Sequence, residues 1–326
     1  MRRRDVLAAF ISASVVSGAC VARAERELTV IVPDLPGSAA GAAMRILQPY
    51  LEQSLARPVV LDFRPGAGGI VGLMAGARAA ADGATLTLLT PAVTLAPWLS
   101  RRMDCTPTDF APLGRVSFAP VALAVRADAP YAAVPDLLAG RTAQGEWAVP
   151  GPSDWDPSEV GQALFAASAG LRVRAVGGLN TPAARAEALL AGDVDLAFLP
   201  LAQVLDPGSA TRLRVLGVTG PARVPQLPTV PSLREAGFDI AVGAWRTLAV
   251  PVESPPSAVE ELGGTLKAIM EDKRVRAELA GARLAPAWLG PVETGRAMDA
   301  EYREAGALFT ALGLSVRKEV LGLGRG

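Results

Sequence analysis

Two glycine-containing turns, each between an apolar strand and an alanine-rich helix, constrain the fold of this chain most strongly. The first turn, residues 33–38 (PDLPGS), precedes a helix predicted over Ala39–Leu55, and the second turn, residues 64–69 (RPGAGG), precedes a helix predicted over 71–81. Such strand–turn–helix units are typical of α/β proteins. The first N–H groups of each helix lack intrahelical partners and lie at the positive end of its dipole. Two neighbouring turns of this kind therefore predict a site for a carboxylate or phosphate.

The absence of histidine from all 326 residues excludes several classes of enzyme and metal site. A Ser-His-Asp triad, a Cys-His pair and a His-ligated metal are all impossible. The two cysteines, Cys20 and Cys105, are too few for a thiolate zinc site. Because 32 basic residues balance 32 acidic ones and aromatic residues are few, a nucleic-acid-binding surface is also disfavoured. We therefore expect no catalytic residues, no metal, no cofactor and no nucleic-acid partner.

The N-terminus has the pattern of an export signal. Residues 2–4 are arginines, residues 6–16 form an apolar stretch too short to span a bilayer, and residues 22–24 (ARA) match the usual cleavage pattern. We predict that residues 1–24 are a signal peptide, cleaved after Ala24. Lipidation at Cys20 is an alternative, and the arginines leave both the general secretory and the twin-arginine export routes open.

Strands alternate with helices along the rest of the chain, which predicts an α/β fold with parallel strands. Two strand–helix clusters are separated by the apolar runs 121–125 and 242–250, so the chain is predicted to cross twice between two lobes. We expect each lobe to be a mostly parallel sheet flanked by helices, with two crossover strands joining them. Lobe 1 would comprise residues 25–122 and 244–326, and lobe 2 residues 123–243. A cleft between such lobes is a natural small-molecule site.

The remaining elements follow from apolar periodicity and from glycine and proline positions. Strands are predicted at 28–32, 59–63, 85–90, 147–149, 172–176, 195–199 and 213–219. Further helices are predicted at 136–139, 158–169, 182–191, 258–272, 274–280 and 294–312. The proline-rich segment 150–157 is predicted to be a loop.

Several short motifs resemble those of one family, in the same order along the chain. Residues 64–72 (RPGAGGIVG) resemble its second turn, and 82–86 (DGATL), 109–112 (DFAP), 192–195 (GDVD) and 227–232 (LPTVPS) follow. The chain thus resembles the extracytoplasmic solute receptors of tripartite tricarboxylate transporters, the Bug-type binding proteins. The resemblance implies a two-lobed periplasmic binding protein with a type II-like fold. Such a protein captures a small organic acid and delivers it to the membrane subunits of its transporter; we expect it to be a monomer.

The resemblance also implies that the ligand carboxylate binds backbone groups of the two turns. The first-lobe residues expected at the site are Pro36, Gly37, Ser38, Gly41, Gly66, Ala67, Gly68, Gly69 and Thr90. The second-lobe residues expected there are Ser153, Asp154, Trp155, Leu179, Asn180 and Thr181. Ser38 and Gly41 stand where the family has Gly and Asp, and residues 152–157 replace a Gly/Ser-rich segment leading to a His at about Glu159. We therefore expect the second lobe to set selectivity.

Simple structural roles are the alternatives for several of these residues. Ser38 could be a helix N-cap, Asp156 a cap of the following helix, and Trp245 a packing residue. The glycines of the second turn could serve only close packing.

Two other functions are alternatives to the receptor. Gly66-x-Gly68 resembles a dinucleotide-binding turn, but the strand 85–90 ends without the charged residue that would read a ribose. A ligand sensor without a transport role is the second alternative, and the sequence does not distinguish it from a transport receptor.

Overall fold

The computed structural model describes residues 27–153 and 156–316, with the side chains of residues 141–144 outside the description. The predicted signal peptide, Cys20, Asp154 and Trp155 lie outside the described residues. The strands are β1 Leu28–Val32, β2 Val59–Phe63, β3 Thr85–Leu89, β4 Phe110–Arg126, β5 Trp147–Pro150, β6 Val173–Val176, β7 Ala197–Pro200, β8 Leu213–Val218, β9 Gly243–Pro251 and β10 Pro286–Leu289. The helices are α1 Ala39–Leu55, α2 Ile70–Ala77, α3 Ala92–Leu99, α4 Val134–Gln144, α5 Pro157–Ala169, α6 Pro182–Ala191, α7 Leu201–Val204, α8 Pro207–Ala210, α9 Pro256–Glu271, α10 Lys273–Gly281 and α11 Pro291–Ala311.

The strands form mixed sheets. One sheet has the order β10-β4-β9-β3-β1-β2, in which β1 runs parallel to β2 and β3. Strands β9, β4 and β10 run antiparallel to their neighbours, and β4 also pairs antiparallel with β7 and β8. Strands β5 and β6 form a separate parallel pair. The α/β class is confirmed, but the sheets are mixed rather than mostly parallel. The reason is that β4 and β9, the strands at the two predicted crossings, run antiparallel to their neighbours.

Strand β4 is far longer than the apolar run 121–125 from which it was predicted. Its residues 110–120 pair with β9, and its residues 121–126 pair with β7 and β8. One continuous strand therefore connects two groups of elements, which supports a two-lobed arrangement. The first part of β4 is hard to recognise in the sequence because it contains Pro112, Gly114 and Pro120, and proline and glycine usually interrupt strands.

Separate apolar cores lie along the two parts of β4. One core includes Leu47 of α1 and Leu266 of α9, and another includes Leu189 of α6 and Leu199 of β7. A third core packs α3 and α11 against α5. None of the helices in the described residues has the length and hydropathy needed to cross a membrane.

Most predicted elements are observed, with boundary changes where proline or glycine interrupts the pattern. Helix α1 has the predicted bounds, whereas α2 ends at Ala77 instead of residue 81. Helices α3, α7 and α8 and strand β10 were not predicted. In α3, Pro91 lies at the N-cap and Pro97 is accommodated inside the helix.

Candidate functional site

The carboxyl ends of β1, β2 and β3 bring three predicted binding segments to one edge of the first sheet. Val32 at the end of β1 pairs with Phe63 at the end of β2, and β3 pairs with β1 on its other side. A Cβ atom built on Gly69 would lie 3.2 Å from the carbonyl oxygen of Pro33, so the two turns are in close contact. Thr90, directly after β3, is half-buried at the same edge. The prediction that the two turns follow neighbouring strands is confirmed.

The first turn leads directly into the N-terminus of α1. Ser38 is the N-cap, and its Oγ accepts a hydrogen bond of 3.1 Å from the N–H of Gly41. The capping role is therefore confirmed. Because a serine hydroxyl can donate as well as accept, Ser38 can still donate its own proton to an anion. Pro36 and Gly37 are exposed beside it.

Gly41 is buried beneath the first turn. A Cβ atom at this position would lie 2.4 Å from the carbonyl oxygen of Pro36 and 3.0 Å from that of Leu35. A side chain would therefore push the turn away from α1. Gly41 allows the turn to rest on the helix, and its N–H is already bonded to Ser38. This close approach is the physical reason that an aspartate, which the family pattern has here, does not fit this turn.

The second turn contains four consecutive residues with positive φ. Gly66, Ala67, Gly68 and Gly69 have φ values of 133°, 48°, 64° and 97°. The N–H of Gly69 donates to the carbonyl of Gly66 at 3.0 Å, and the N–H of Ile70 donates to the carbonyl of Ala67. Among the described residues, the N–H groups of Ala67 and Gly68 have no protein acceptor. Both residues are exposed, so these two donors are available to a ligand.

A buried arginine connects the predicted second-lobe segments. Arg185 on α6 has only 2% of its side chain exposed; its Nη2 lies 2.5 Å from Glu159 Oε1, and its Nη1 lies 2.7 Å from Asp156 Oδ2. Its Nε donates to the carbonyl oxygen of Leu179 at 3.0 Å, and its Nη2 also contacts Ser153 Oγ at 3.2 Å. We call these five residues the Arg185 network. It joins the loop before α5 to the loop before α6.

The Arg185 network contains one positive and two negative side chains. Asp156 also caps α5, since its Oδ1 accepts from the N–H groups of Ser158 and Glu159 at 2.8 and 3.0 Å. The predicted capping role of Asp156 is thus confirmed. Thr181 caps α6 through its Oγ1, and Asn180 is exposed next to it. Because two carboxylates neutralise Arg185, it has no free charge to offer an anionic ligand.

Neither Arg185 nor the role of Glu159 is apparent from the sequence. Glu159 stands near the position at which the family has a histidine. A single arginine among the alanines and leucines of α6 is a weak local signal. Its partner Glu159 lies 26 residues away in the sequence, so no local pattern reveals the pair.

Most of the described region is similar to one family of transport receptors. Residues 43–314 match the family described as tripartite tricarboxylate transporter family receptor (TctC). The chain belongs to this receptor family. It is 31% identical over 278 residues to the UPF0065 protein in the tcbD-tcbE intergenic region of Pseudomonas sp. (strain P51), with 81% of each chain covered. The predicted family membership is confirmed.

Solved structures agree with this membership. A TctC solute-binding protein from Polaromonas superposes with a TM-score of 0.82 at 25% identity, covering 88% of this chain and 98% of that one. A protein from R. palustris solved with adipate superposes with a TM-score of 0.67 at 24% identity, covering 89% and 98%. TctC-family receptors are periplasmic binding proteins that serve membrane subunits of a transporter, and they are not enzymes.

A second feature of this TctC-family receptor is a cavity of about 250 Å³ between β4, β9 and α11. Glu301 of α11 lines it, and its Oε2 accepts from Trp245 Nε1 at 2.8 Å and lies 3.0 Å from Thr94 Oγ1. Burial raises the pKa of Glu301 to about 7; the bonds to Trp245 and Thr94 and the charge of Arg115 oppose this rise, and Glu304 adds to it. Trp245 is buried, which confirms its packing role.

Cys105 of the TctC-family receptor is buried and unpaired. Burial, with a smaller contribution from the charge of Asp109, raises the pKa of its thiol to about 12. The reactive thiolate is therefore nearly absent at neutral pH. No cluster of three metal-ligating side chains occurs among residues 27–153 and 156–316.

Proposed function

We propose that this receptor captures a small organic acid in a cleft between two lobes for a tripartite transporter. In this proposal, lobe 1 comprises residues 25–122 and 244–326, and lobe 2 comprises residues 123–243. The acid carboxylate binds the first turn and the second turn of lobe 1, and Thr90 borders it. A relative of the same fold has been solved with adipate, a dicarboxylate, which supports this class of ligand.

The convergence of the two turns is the observation that carries the proposal. The second turn, whose Ala67 and Gly68 N–H groups have no acceptor among the described residues, lies against Pro33 of the first turn, and Ser38 at the end of the first turn caps α1. Backbone donors at a helix N-terminus bind carboxylates well because their dipoles are already oriented.

Lobe 2 closes the site with its two loops and sets its selectivity. The contributing residues are Ser153, Asp154, Trp155, Leu179, Asn180 and Thr181. The excess negative charge of the Arg185 network supports a ligand whose far end carries hydroxyl or amine donors. We further propose that the mature protein begins after Ala24, rather than at a lipidated Cys20, and that it is a monomer.

Small carboxylates are expected to stabilise the mature protein against heat. A ligand present at about 100 times its Kd should add about 2.7 kcal/mol to the free energy of unfolding. A thermal-shift screen with mono-, di- and tricarboxylates, amino acids and neutral compounds measures this effect. Stabilisation by neutral or cationic compounds alone would contradict the proposed ligand class.

Replacing Gly68 with valine is expected to abolish ligand stabilisation. Gly68 has φ of 64°, which a β-branched residue adopts poorly, and the new side chain would project into open space beside the free N–H groups. Gly170→Val is the matched control, because Gly170 has φ of 62° and ψ of 35°, close to the 64° and 26° of Gly68. Its surroundings are equally open, and it lies at the C-terminal end of α5, opposite the predicted binding loop. Thermal shift and calorimetry on both variants provide the comparison. If folded Gly68→Val binds the ligand with wild-type affinity, the second turn is not part of the binding site.

A further inference from the structure

Arg246 lies at the same sheet edge as the two turns. Thr247 of β9 pairs with Leu89 of β3 in antiparallel register. Arg246 therefore lies opposite Thr90, the residue that follows β3. Strand β1 pairs with β3 on its other side, and in the same register Asp34 of the first turn also lies opposite Thr90. A guanidinium group is thus present beside the proposed carboxylate site, and no local sequence pattern predicts it.

The guanidinium of Arg246 has unusually few partners. Its Nη1 donates to Ser117 Oγ at 3.3 Å, while its Nε is buried without any hydrogen-bond partner. No carboxylate among the described residues lies within ion-pair distance of it. Burial lowers the pKa of Arg246, and the charge of Asp34 only partly offsets this.

Two other sheltered arginines, Arg185 and Arg214, are fully paired. Arg115 on β4 has a 3.5 Å hydrogen bond to the carbonyl oxygen of Ala287 and lies over the ring of Phe118, near the charge of Glu301. Arg185 contacts two carboxylates, a hydroxyl and a carbonyl. Arg214 donates to three backbone carbonyls at distances of 2.6 to 3.0 Å. A buried charge without a counterion is strongly unfavourable, and such charges are normally paired. The natural partner of Arg246 is therefore an anion that is not part of the chain.

We propose that Arg246 forms an ion pair with the carboxylate of the bound acid, next to the backbone donors of the first turn. This proposal rests on the proposed function and names the charged group that the two turns lack. Backbone N–H groups and a guanidinium together favour a carboxylate over a neutral ligand, because the ion-paired hydrogen bonds are the stronger ones. Asp34 restricts the class of ligand further, since its negative charge disfavours additional acidic groups on the side of the ligand that faces it.

Arg246→Met tests the proposal in two independent ways. Affinity for the acid should fall about 10- to 100-fold, as expected for loss of a charge-assisted hydrogen bond. The ligand-free variant should nevertheless melt about 2–4 °C higher than the wild type, because a half-buried charge without a counterion has been removed. A purely structural arginine would give the opposite change in melting temperature. Arg246→Lys keeps the charge and should bind with intermediate affinity.

Arg115→Met is the matched control, because Arg115 lies on the neighbouring strand β4 and lines the cavity beneath α11 with Thr247. It removes the same charge and should leave affinity within about threefold of wild type. The probes are acetate, malate, adipate and citrate, titrated by calorimetry at low and at high salt.

If the wild type binds an acid and Arg246→Met binds it equally well, the proposed role of Arg246 is wrong while the proposed function stands. If the wild type binds no carboxylate, the proposed function fails. In that case a lower melting temperature of ligand-free Arg246→Met would overturn the assignment as well.

Discussion

Replacing Arg185 with methionine is expected to lower the free energy of unfolding by about 3–5 kcal/mol. The substitution leaves Glu159, whose side chain is only 3% exposed, without the guanidinium that neutralises it. Asp156 and the carbonyl of Leu179 lose hydrogen bonds at the same time. Urea denaturation of the wild type and the variant at pH 7 measures the difference.

Arg234→Met is the control for the loss of one arginine. Arg234 pairs with Asp239 at 2.6 Å, but the two side chains are 51% and 72% exposed, so the expected loss is below about 1 kcal/mol. Adding Glu159→Leu to Arg185→Met should recover part of the stability, because the uncompensated buried carboxylate is then absent. Equal losses in Arg185→Met and Arg234→Met would show that the Arg185 network does not stabilise the fold.

The stability of the receptor is expected to fall by about 3 kcal/mol as the pH rises from about 4.5 to above 7, because of Glu301. Its pKa is raised from the ordinary value of 4.5 to about 7 in the folded chain. Between these values the folded chain holds a proton that the unfolded chain has released. The stabilisation is therefore complete below pH 4.5 and is lost as the pH rises through about 7.

Glu301→Gln should remove this dependence, since glutamine can accept from Trp245 without carrying a charge. The protein contains no histidine, so few other groups titrate in this range. Burial also raises the pKa of Glu304, with a smaller contribution from the charge of Asp239. Urea midpoints at pH 5 and pH 8 give the measurement, and Glu261→Gln, an exposed site on α9, is the control. If the stability of Glu301→Gln falls between pH 5 and pH 8 as much as that of the wild type, Glu301 is not the group responsible for the pH dependence.

The elements that the sequence predicts well are those with strong local signals. The first turn and α1 are recognisable from an apolar strand, Pro36-Gly37, an N-cap serine and a stripe of apolar residues. The positive φ values of Gly68 and Gly69 follow from the same kind of signal, because glycine adopts this conformation at little cost. The prediction that the two turns are neighbours also holds, since β1 and β2 follow each other in the sequence.

The long-range parts of the fold were harder to predict. The first half of β4 contains Pro112 and Pro120, yet its pairing with β9 keeps it extended. The antiparallel direction of β9 depends on a partner strand, β3, more than 150 residues earlier. Helix α3 forms despite Pro97 because its apolar face packs against α11. Tertiary packing therefore overrides the local signal in each case.

The sequence by itself determined the strand–turn–helix units, the two glycine turns, the absence of histidine chemistry and the family resemblance. Each of these depends on neighbouring residues or on composition. Only the tertiary structure decided which charged groups have partners: Arg185 contacts two carboxylates, half-buried Glu301 accepts a hydrogen bond from Trp245, and the guanidinium of Arg246 donates to a hydroxyl. The physical reason is that burial and counterions are set by residues distant in the chain. A side chain's own sequence context does not reveal the charge or the solvent that it will meet.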